Sequence, residues 1–287
     1  MSIDFLRGKD VYFIAEIGIN HISDIQIAKK LIDASFCTNW DCVKFQKRNP
    51  DKCVPEKQKN IIKQTPWGEM TYLEYRKKIE FGKREYNQID KYCRDKPLSW
   101  SASIWDLDSL DFMLQYDLPF IKIPSAVIEN KELVETAAKS FKNIILSTGM
   151  STIQEIDYGV NNVLKYNNNL VVMHCNSSYP AEYKELNLRC IPMLRERYNT
   201  EVGYSGHEKD LEPTVIAVSL GAKVVERHIT LDHNMWGSDQ KASLEVHAMD
   251  MLRKRCKDVN MMLGDGVKVI TKSEMPIREK LRKNLRR

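Results

Sequence analysis

Short apolar runs and one-sided amphipathic stretches alternate eight times along this chain, and that alternation constrains the fold more than any other feature. The first run, Val11-Tyr-Phe-Ile-Ala-Glu16-Ile-Gly18, is apolar enough for a strand buried on both faces and passes into the polar Asn20 and His21. Ser23 or Asp24 then caps a helix with Ile27, Leu31 and Ile32 on one face, and residues 41–46 make the second strand. Further strands are expected over 98–104, 120–125, 143–149, 170–176, 201–207 and 223–230. Helices are expected over 72–96 (despite Gly82), 106–116, 130–139, 188–198, 211–220 and 243–263, with another opened by Ser151 and Gln154 as a capping box. Residues 47–70 break the beat. They carry Pro50, Pro55 and Pro66, many lysines and little periodicity, and run far beyond the roughly two to six residues usual for a strand-to-helix connection, so a functional or mobile loop is expected.

Eight strand-then-helix units, without a Gly-x-Gly-x-x-Gly or Walker loop, predict an α/β chain folded as a single-domain (β/α)8 TIM barrel over residues 1–270. A basic C-terminal tail or helix end is expected over 271–287. The 44 basic against 39 acidic residues give a net charge of +5, too mild to point to nucleic acid and compatible with an anionic small substrate. There is no secretory leader pattern and no apolar run of the ~18 residues a spanning helix needs, so a cytoplasmic protein without membrane partners is expected. The seven cysteines are odd in number and form no Cys-x-x-Cys pair, which suits reduced thiols.

In a barrel of this kind chemistry sits at the carboxyl ends of the strands. The residues there are Glu16, Asn20 and His21; Lys44 and Gln46; Ser103; Lys122 and Ser125; Ser147; Asn176, Ser177 and Tyr179; Ser205 and His207; and Glu226 and His228. Lys44 and Lys122 are flanked by Val43, Phe45, Ile121 and Ile123, so they read as buried cations able to hold a phosphate or carboxylate. The strand period of two puts Lys44 with Gln46, Ser205 with His207, and Glu226 with His228 on shared faces. A lone strand-end histidine more often packs than ligates, and His21 and His174 are read so. His207 and His228, on consecutive strands, read as a pair of metal ligands with positions left open for water or substrate.

Glu16-Ile-Gly-Ile-Asn-His21, Val43-Lys44-Phe-Gln46, Lys122-Ile-Pro-Ser125, Leu146-Ser-Thr-Gly-Met150, His174-Cys-Asn-Ser-Ser-Tyr-Pro180, Tyr204-Ser-Gly-His207, Glu226-Arg-His228 and Gly237-Ser-Asp239 run in order along nearly the whole chain. Together they resemble the ordered motifs of the sialic acid synthase (N-acetylneuraminate synthase) family. That resemblance implies a homodimeric barrel condensing phosphoenolpyruvate with an N-acylated amino sugar, using a divalent metal, Mn2+ or Mg2+. It implies that His207 and His228 hold the metal; that Lys44, Ser103, Lys122, Ser125, Ser147, Ser177, Tyr179 and Ser205 surround phosphoenolpyruvate; and that Gln46 and Asp239 face the sugar. Three departures stand out. The family's usual Ser-Gly-Glu is Ser125-Ala126-Val127 here, with Glu129 two positions on; the usual Gly-Pro-Asp-His is Gly237-Ser-Asp239-Gln240; and the chain stops at Arg287, where many relatives continue into an antifreeze-like domain. The lysine-rich stretch 47–70 is expected to serve as cover in place of that domain. Two other readings stay open: another phosphoenolpyruvate- or pyruvate-dependent carbon–carbon bond-forming barrel enzyme, and a catalytically impaired homologue that only binds a sugar.

Overall fold

The computed structural model describes residues 3–282. Ten strands appear in chain order: β1 (Tyr12–Gly18), β2 (Cys42–Lys47), β3 (Ile62–Thr65), β4 (Gly68–Thr71), β5 (Ser99–Ile104), β6 (Ile121–Ile123), β7 (Ile144–Ser147), β8 (Leu170–Cys175), β9 (Glu201–Gly206) and β10 (Val224–His228). Eight close into a parallel barrel in the order β1-β10-β9-β8-β7-β6-β5-β2, with helices between most of them, as the sequence alternation predicts. Each barrel strand is buried on both faces, which explains the near-continuous apolar runs. Outward residues such as Phe13, Ile17, Val43, Phe45, Ile123, Val172, Val202 and Val225 pack with the helices in one large core. Burying each such side chain contributes about 1.5–3 kcal/mol.

Inward residues change character along the barrel axis. Near the amino ends of the strands, Tyr12, Ile14, Cys42, Phe120, Ile145, Val171, Met173 and Val224 form a second, apolar cluster closed from below by Ile3 and Phe5. Phe5 lies 4.9 Å from the Tyr12 ring and 5.0 Å from that of Phe120. One period further on, the inward residues are charged or hydroxylic.

The structure corrects three local expectations. Residues 47–70 are not a structureless loop: they form two one-turn helices, Pro50–Cys53 and Glu56–Lys59, and then the antiparallel β3–β4 hairpin. The helical stretch 72–96 is two helices, Tyr72–Ile79 and Lys83–Asp95, the second starting at Gly82, whose backbone N–H donates to Glu85 at 3.1 Å. The capping box after β7 is Thr152 with Glu155, one residue beyond the expected pair, because Ser151 turns back to the Gly149 carbonyl. Asp24, one of the two expected caps, does cap the first long helix, Ile25–Cys37, by accepting from the Gln26 N–H. At the far end, the helix Glu274–Leu281 covers part of the expected tail, and residues 283–287 of that tail lie outside the described residues.

Candidate active site

The strand register decides which side chains meet. Glu16 pairs with His228 and Lys44, Glu226 with Ser205, Gln46 with Ser103, and Ser103 with Lys122, so these residues come level around the barrel mouth. They line a cavity of about 230 Å³ together with Ser125, Ser147, Cys175, Ser177, Tyr179 and His207. Every residue expected to bind substrate or metal therefore faces one cavity, except Asp239. Its carboxylate stands at the rim, with Oδ2 4.0 Å from His228 Nδ1 and Oδ1 accepting from Ser238.

The floor is a buried charge network. Lys44 Nζ lies 2.6 Å from Glu16 Oε2 and 3.8 Å from Glu226 Oε2, and it donates to Ser103 Oγ at 2.7 Å. Lys122 Nζ donates to Glu226 Oε1 at 2.6 Å, and Ser205 Oγ adds a contact to the same oxygen at 3.2 Å. Burial opposes the charge on Glu226, yet Lys122 and Lys44 hold its carboxyl down to about 2. Burial likewise opposes the Lys122 ammonium, and the Glu226 charge still lifts its pKa above the usual lysine range. Both groups are ionised at neutral pH. The expectation of a cationic pocket is therefore too simple: two ammonium groups are balanced by two carboxylates, Glu16 and Glu226. An anionic ligand here gains from aimed donors rather than from an excess of positive charge.

Beside the lysines lies a cluster of small donors. Ser147 Oγ and Cys175 Sγ are 3.0 Å apart, and burial pushes the Cys175 thiol up, so it stays protonated. Gly149 is packed against this cluster: a Cβ there would come 2.3 Å from Ser177 Oγ, 2.8 Å from Cys175 Sγ and 3.2 Å from Ser125 Oγ. Glycine here leaves the three side chains room to converge.

The histidine corner occupies the opposite side. In Ser205-Gly206-His207-Glu208 and Glu226-Arg227-His228 alternate residues point out of the barrel, where Arg227 Nη1 and Glu208 Oε1 make a fully buried ion pair at 3.0 Å. That pair ties the end of β10 to the segment after β9 and so sets the two imidazoles, whose ring centroids are 5.6 Å apart. His207 Nδ1 lies 2.5 Å from the Asn176 carbonyl, which can only accept, so Nδ1 carries the proton and Nε2 the lone pair. Burial, with His228 nearby, lowers its pKa to about 3 and keeps the ring neutral. The Tyr179 hydroxyl lies 2.8 Å from that Nε2, and His228 Nδ1 is buried without a hydrogen-bond partner. Two imidazoles, one neutral with its tautomer fixed by a carbonyl and the other with Nδ1 buried and unpartnered, fit a divalent metal that keeps open positions. Among the described residues no group of three or more His, Cys, Asp or Glu side chains is arranged to hold a metal, so a metal here would complete its shell from water or substrate.

Other strand-end candidates are structural. His21 stacks on Phe81 at 3.8 Å and is buried, and His174 Nε2 lies 2.7 Å from the Leu186 carbonyl, both as expected of packing histidines. Asn20 braces the end of the barrel by donating to the Ile229 carbonyl and Ser243 Oγ. Glu129 is exposed and outside the cavity lining, so the carboxylate displaced from Val127 does not return to the site. The hairpin reaches the last barrel loop, with Trp67 6.0 Å from Trp236 and Trp236 5.3 Å from Tyr75. Sequence reasoning gave no role to the counter-ions Glu16 and Glu226, and it passed over Cys175, Trp105 and Arg48. The period of two was the available signal: Cys175 follows Val171 and Met173 on the inward face of β8, and Arg48 follows Lys44 and Gln46.

The NeuB family model matches residues 31–268. The chain is 35% identical over 282 residues to an N,N'-diacetyllegionaminic acid synthase of Campylobacter jejuni, covering 96% of this chain and 84% of the relative. It is 38% identical over 256 residues to an N-acetylneuraminate-9-phosphate synthase of Drosophila melanogaster, covering 87% of this chain and 68% of that one. A crystal structure of an N-acetylneuraminic acid synthetase from Leptospira borgpetersenii superposes with a TM-score of 0.85 at 30% identity, covering 96% of this chain and 93% of the other.

Proposed function

This chain belongs to the NeuB family and is a synthase of the phosphoenolpyruvate-condensing kind, and from that premise we propose that it joins phosphoenolpyruvate to an N-acylated amino sugar resembling N-acetylmannosamine. The products are a sialic-acid-type nonulosonic acid and phosphate. The observation that carries the reading is the convergence in one cavity of Lys44 and Lys122 with the His207–His228 pair.

Each side of the cavity suits one substrate. Lys44 and Lys122, with Ser103, Ser125, Ser147, Ser177 and Ser205, supply the donors for the phosphate and carboxylate of phosphoenolpyruvate. Gln46 and Asp239 stand on the histidine side and orient the open-chain sugar, and Tyr179, expected beside phosphoenolpyruvate, stands there too, with its hydroxyl 2.8 Å from His207 Nε2. His207, through Nε2, and His228 would hold Mn2+ or Mg2+, which when bound would act as a Lewis acid toward the sugar aldehyde. A new bond joins C3 of phosphoenolpyruvate to the aldehyde carbon. Water adds at the electron-poor C2, and the C2–O bond then breaks to release phosphate, while the fixed ammonium and hydroxyl groups stabilise the charge that develops.

The test is phosphate release from phosphoenolpyruvate across N-acylated amino sugars and their 6-phosphates, with Mn2+, Mg2+ or chelator. Release that needs both metal and sugar and is lost in His207→Ala supports the function. Sugar-independent or chelator-insensitive release overturns it.

A further inference from the structure

We propose that Arg48 is a positioning residue for the acceptor sugar, holding the Gln46 amide in a single orientation on the histidine side of the cavity; the inference rests on the acceptor reading above. Gln46 lines the cavity, and Gly18 locates its amide. A Cβ on Gly18 would come 3.2 Å from His228 Cε1 and 3.3 Å from Gln46 Nε2, so imidazole and amide border the same small gap. Gly18 itself has a positive φ of 55°, which favours glycine there.

Both ends of the amide are already engaged. Gln46 Nε2 donates to Glu16 Oε1 at 2.8 Å, and Gln46 Oε1 accepts from the Arg48 guanidinium. Turning the amide over would set its NH2 against the guanidinium and its oxygen against the carboxylate, two repulsive contacts in place of two hydrogen bonds. In the locked orientation the amide keeps one N–H and one lone pair for a ligand, a donor and an acceptor side by side. That pattern matches an acylamino group next to a hydroxyl.

Arg48 is itself held from several directions. It is 8% exposed, its Nε lies 2.9 Å from Glu80 Oε1, and its guanidinium carbon stands 4.8 Å from the ring centroid of Trp105, another residue of the cavity lining. Glu80 also accepts from the Arg48 backbone N–H at 3.4 Å. Only a planar fork serves the Glu80 carboxylate, the Gln46 oxygen and the Trp105 face at once; a lysine at this position would keep the charge and lose the geometry.

Steady-state phosphate release, varying in turn phosphoenolpyruvate and the N-acylated amino sugar of the panel that supports turnover, is measured for wild type, Arg48→Met, Arg48→Lys, Gln46→Ala and the Gln46→Ala/Arg48→Met double variant, with the Tm of each. Arg48→Met is expected to raise the KM for the sugar about tenfold or more and to leave that for phosphoenolpyruvate within about twofold, with Arg48→Lys between it and wild type. In the Gln46→Ala background the same change adds less than about twofold, because the group through which Arg48 acts is gone. Equal rises in both KM values, or an additive cycle, overturn the role of Arg48 while leaving the acceptor reading intact. A wild-type protein that turns over none of the N-acylated sugars overturns both. If Arg48→Met does not fold, Arg48→Lys carries the same comparison.

Discussion

At the floor of the barrel Tyr12, Ile14, Cys42, Phe120, Val171 and Val224 close on one another as an apolar plug, whereas one period along the same strands Glu16, Lys44, Lys122, Cys175 and Glu226 face a cavity. Both layers are buried, and both come from inward positions of β1, β2, β8 and β10 and of the segment Phe120–Ile123 that contains β6. They differ in what burial does for them. In the floor, burial is the stabilising contribution. In the mouth it opposes every charge, and only the mutual placement of two ammonium groups and two carboxylates makes the layer tolerable. Hydrophobic repacking serves stability as well in such layers, so the polar composition of this one is what the proposed ligand site requires.

The strongest way to break this comparison is to break the network. Lys122→Met leaves Glu226 with Lys44 at 3.8 Å as its remaining ammonium contact. It should cost about 3–5 kcal/mol by denaturant unfolding and abolish phosphate release. Lys122→Met with Glu226→Leu should recover most of the stability and none of the activity; recovery of both would show that the pair is not needed to hold a ligand. In the floor, Met173→Ala should cost about 2–5 kcal/mol while both KM values stay close to wild type. An altered KM for either substrate would deny that the two layers are separable.

Gly149→Ala probes the mouth more finely. Its Cβ meets Ser177 and Cys175, so it should raise the KM for phosphoenolpyruvate by about tenfold with little change in Tm. A pH-dependent effect concerns His21, stacked behind the mouth and held by burial at a pKa of about 3. The unfolded chain takes up this proton below roughly pH 6.5, so stability is fully present above that pH and falls by about 1.4 kcal/mol per unit as the pH drops toward 3. His21→Gln should flatten that part of the profile in thermal unfolding measured across pH 7 to 5.

The barrel and most of its mouth were legible in the sequence because apolar runs such as Val224-Val225 mark the strands, and the period of two of any strand then fixes which strand-end residues share a face. The hairpin within 47–70 was not legible: its short strands, Ile62–Thr65 and Gly68–Thr71, are largely exposed and have no buried face to impose an alternation. The charge balance was hidden for a different reason. Glu16 and Glu226 lie 210 positions apart in the chain, and only closure of β1 against β10 brings both to the lysines. The lock on Gln46 needs atomic contacts, since the sequence shows Arg48 on the right side of the strand but not Glu80 and Trp105 around it.

The proposed reaction turns on one chemical event, the loss of phosphate by cleavage of the C–O bond of phosphoenolpyruvate after a sugar has been joined to it. Phosphoenolpyruvate labelled with 18O in the bridging position, incubated with enzyme, divalent metal and N-acetylmannosamine, reads it directly by mass spectrometry. The label should leave in the phosphate, one phosphate for each nonulosonic acid formed; label kept in the organic product, or phosphate formed without product, would contradict the account.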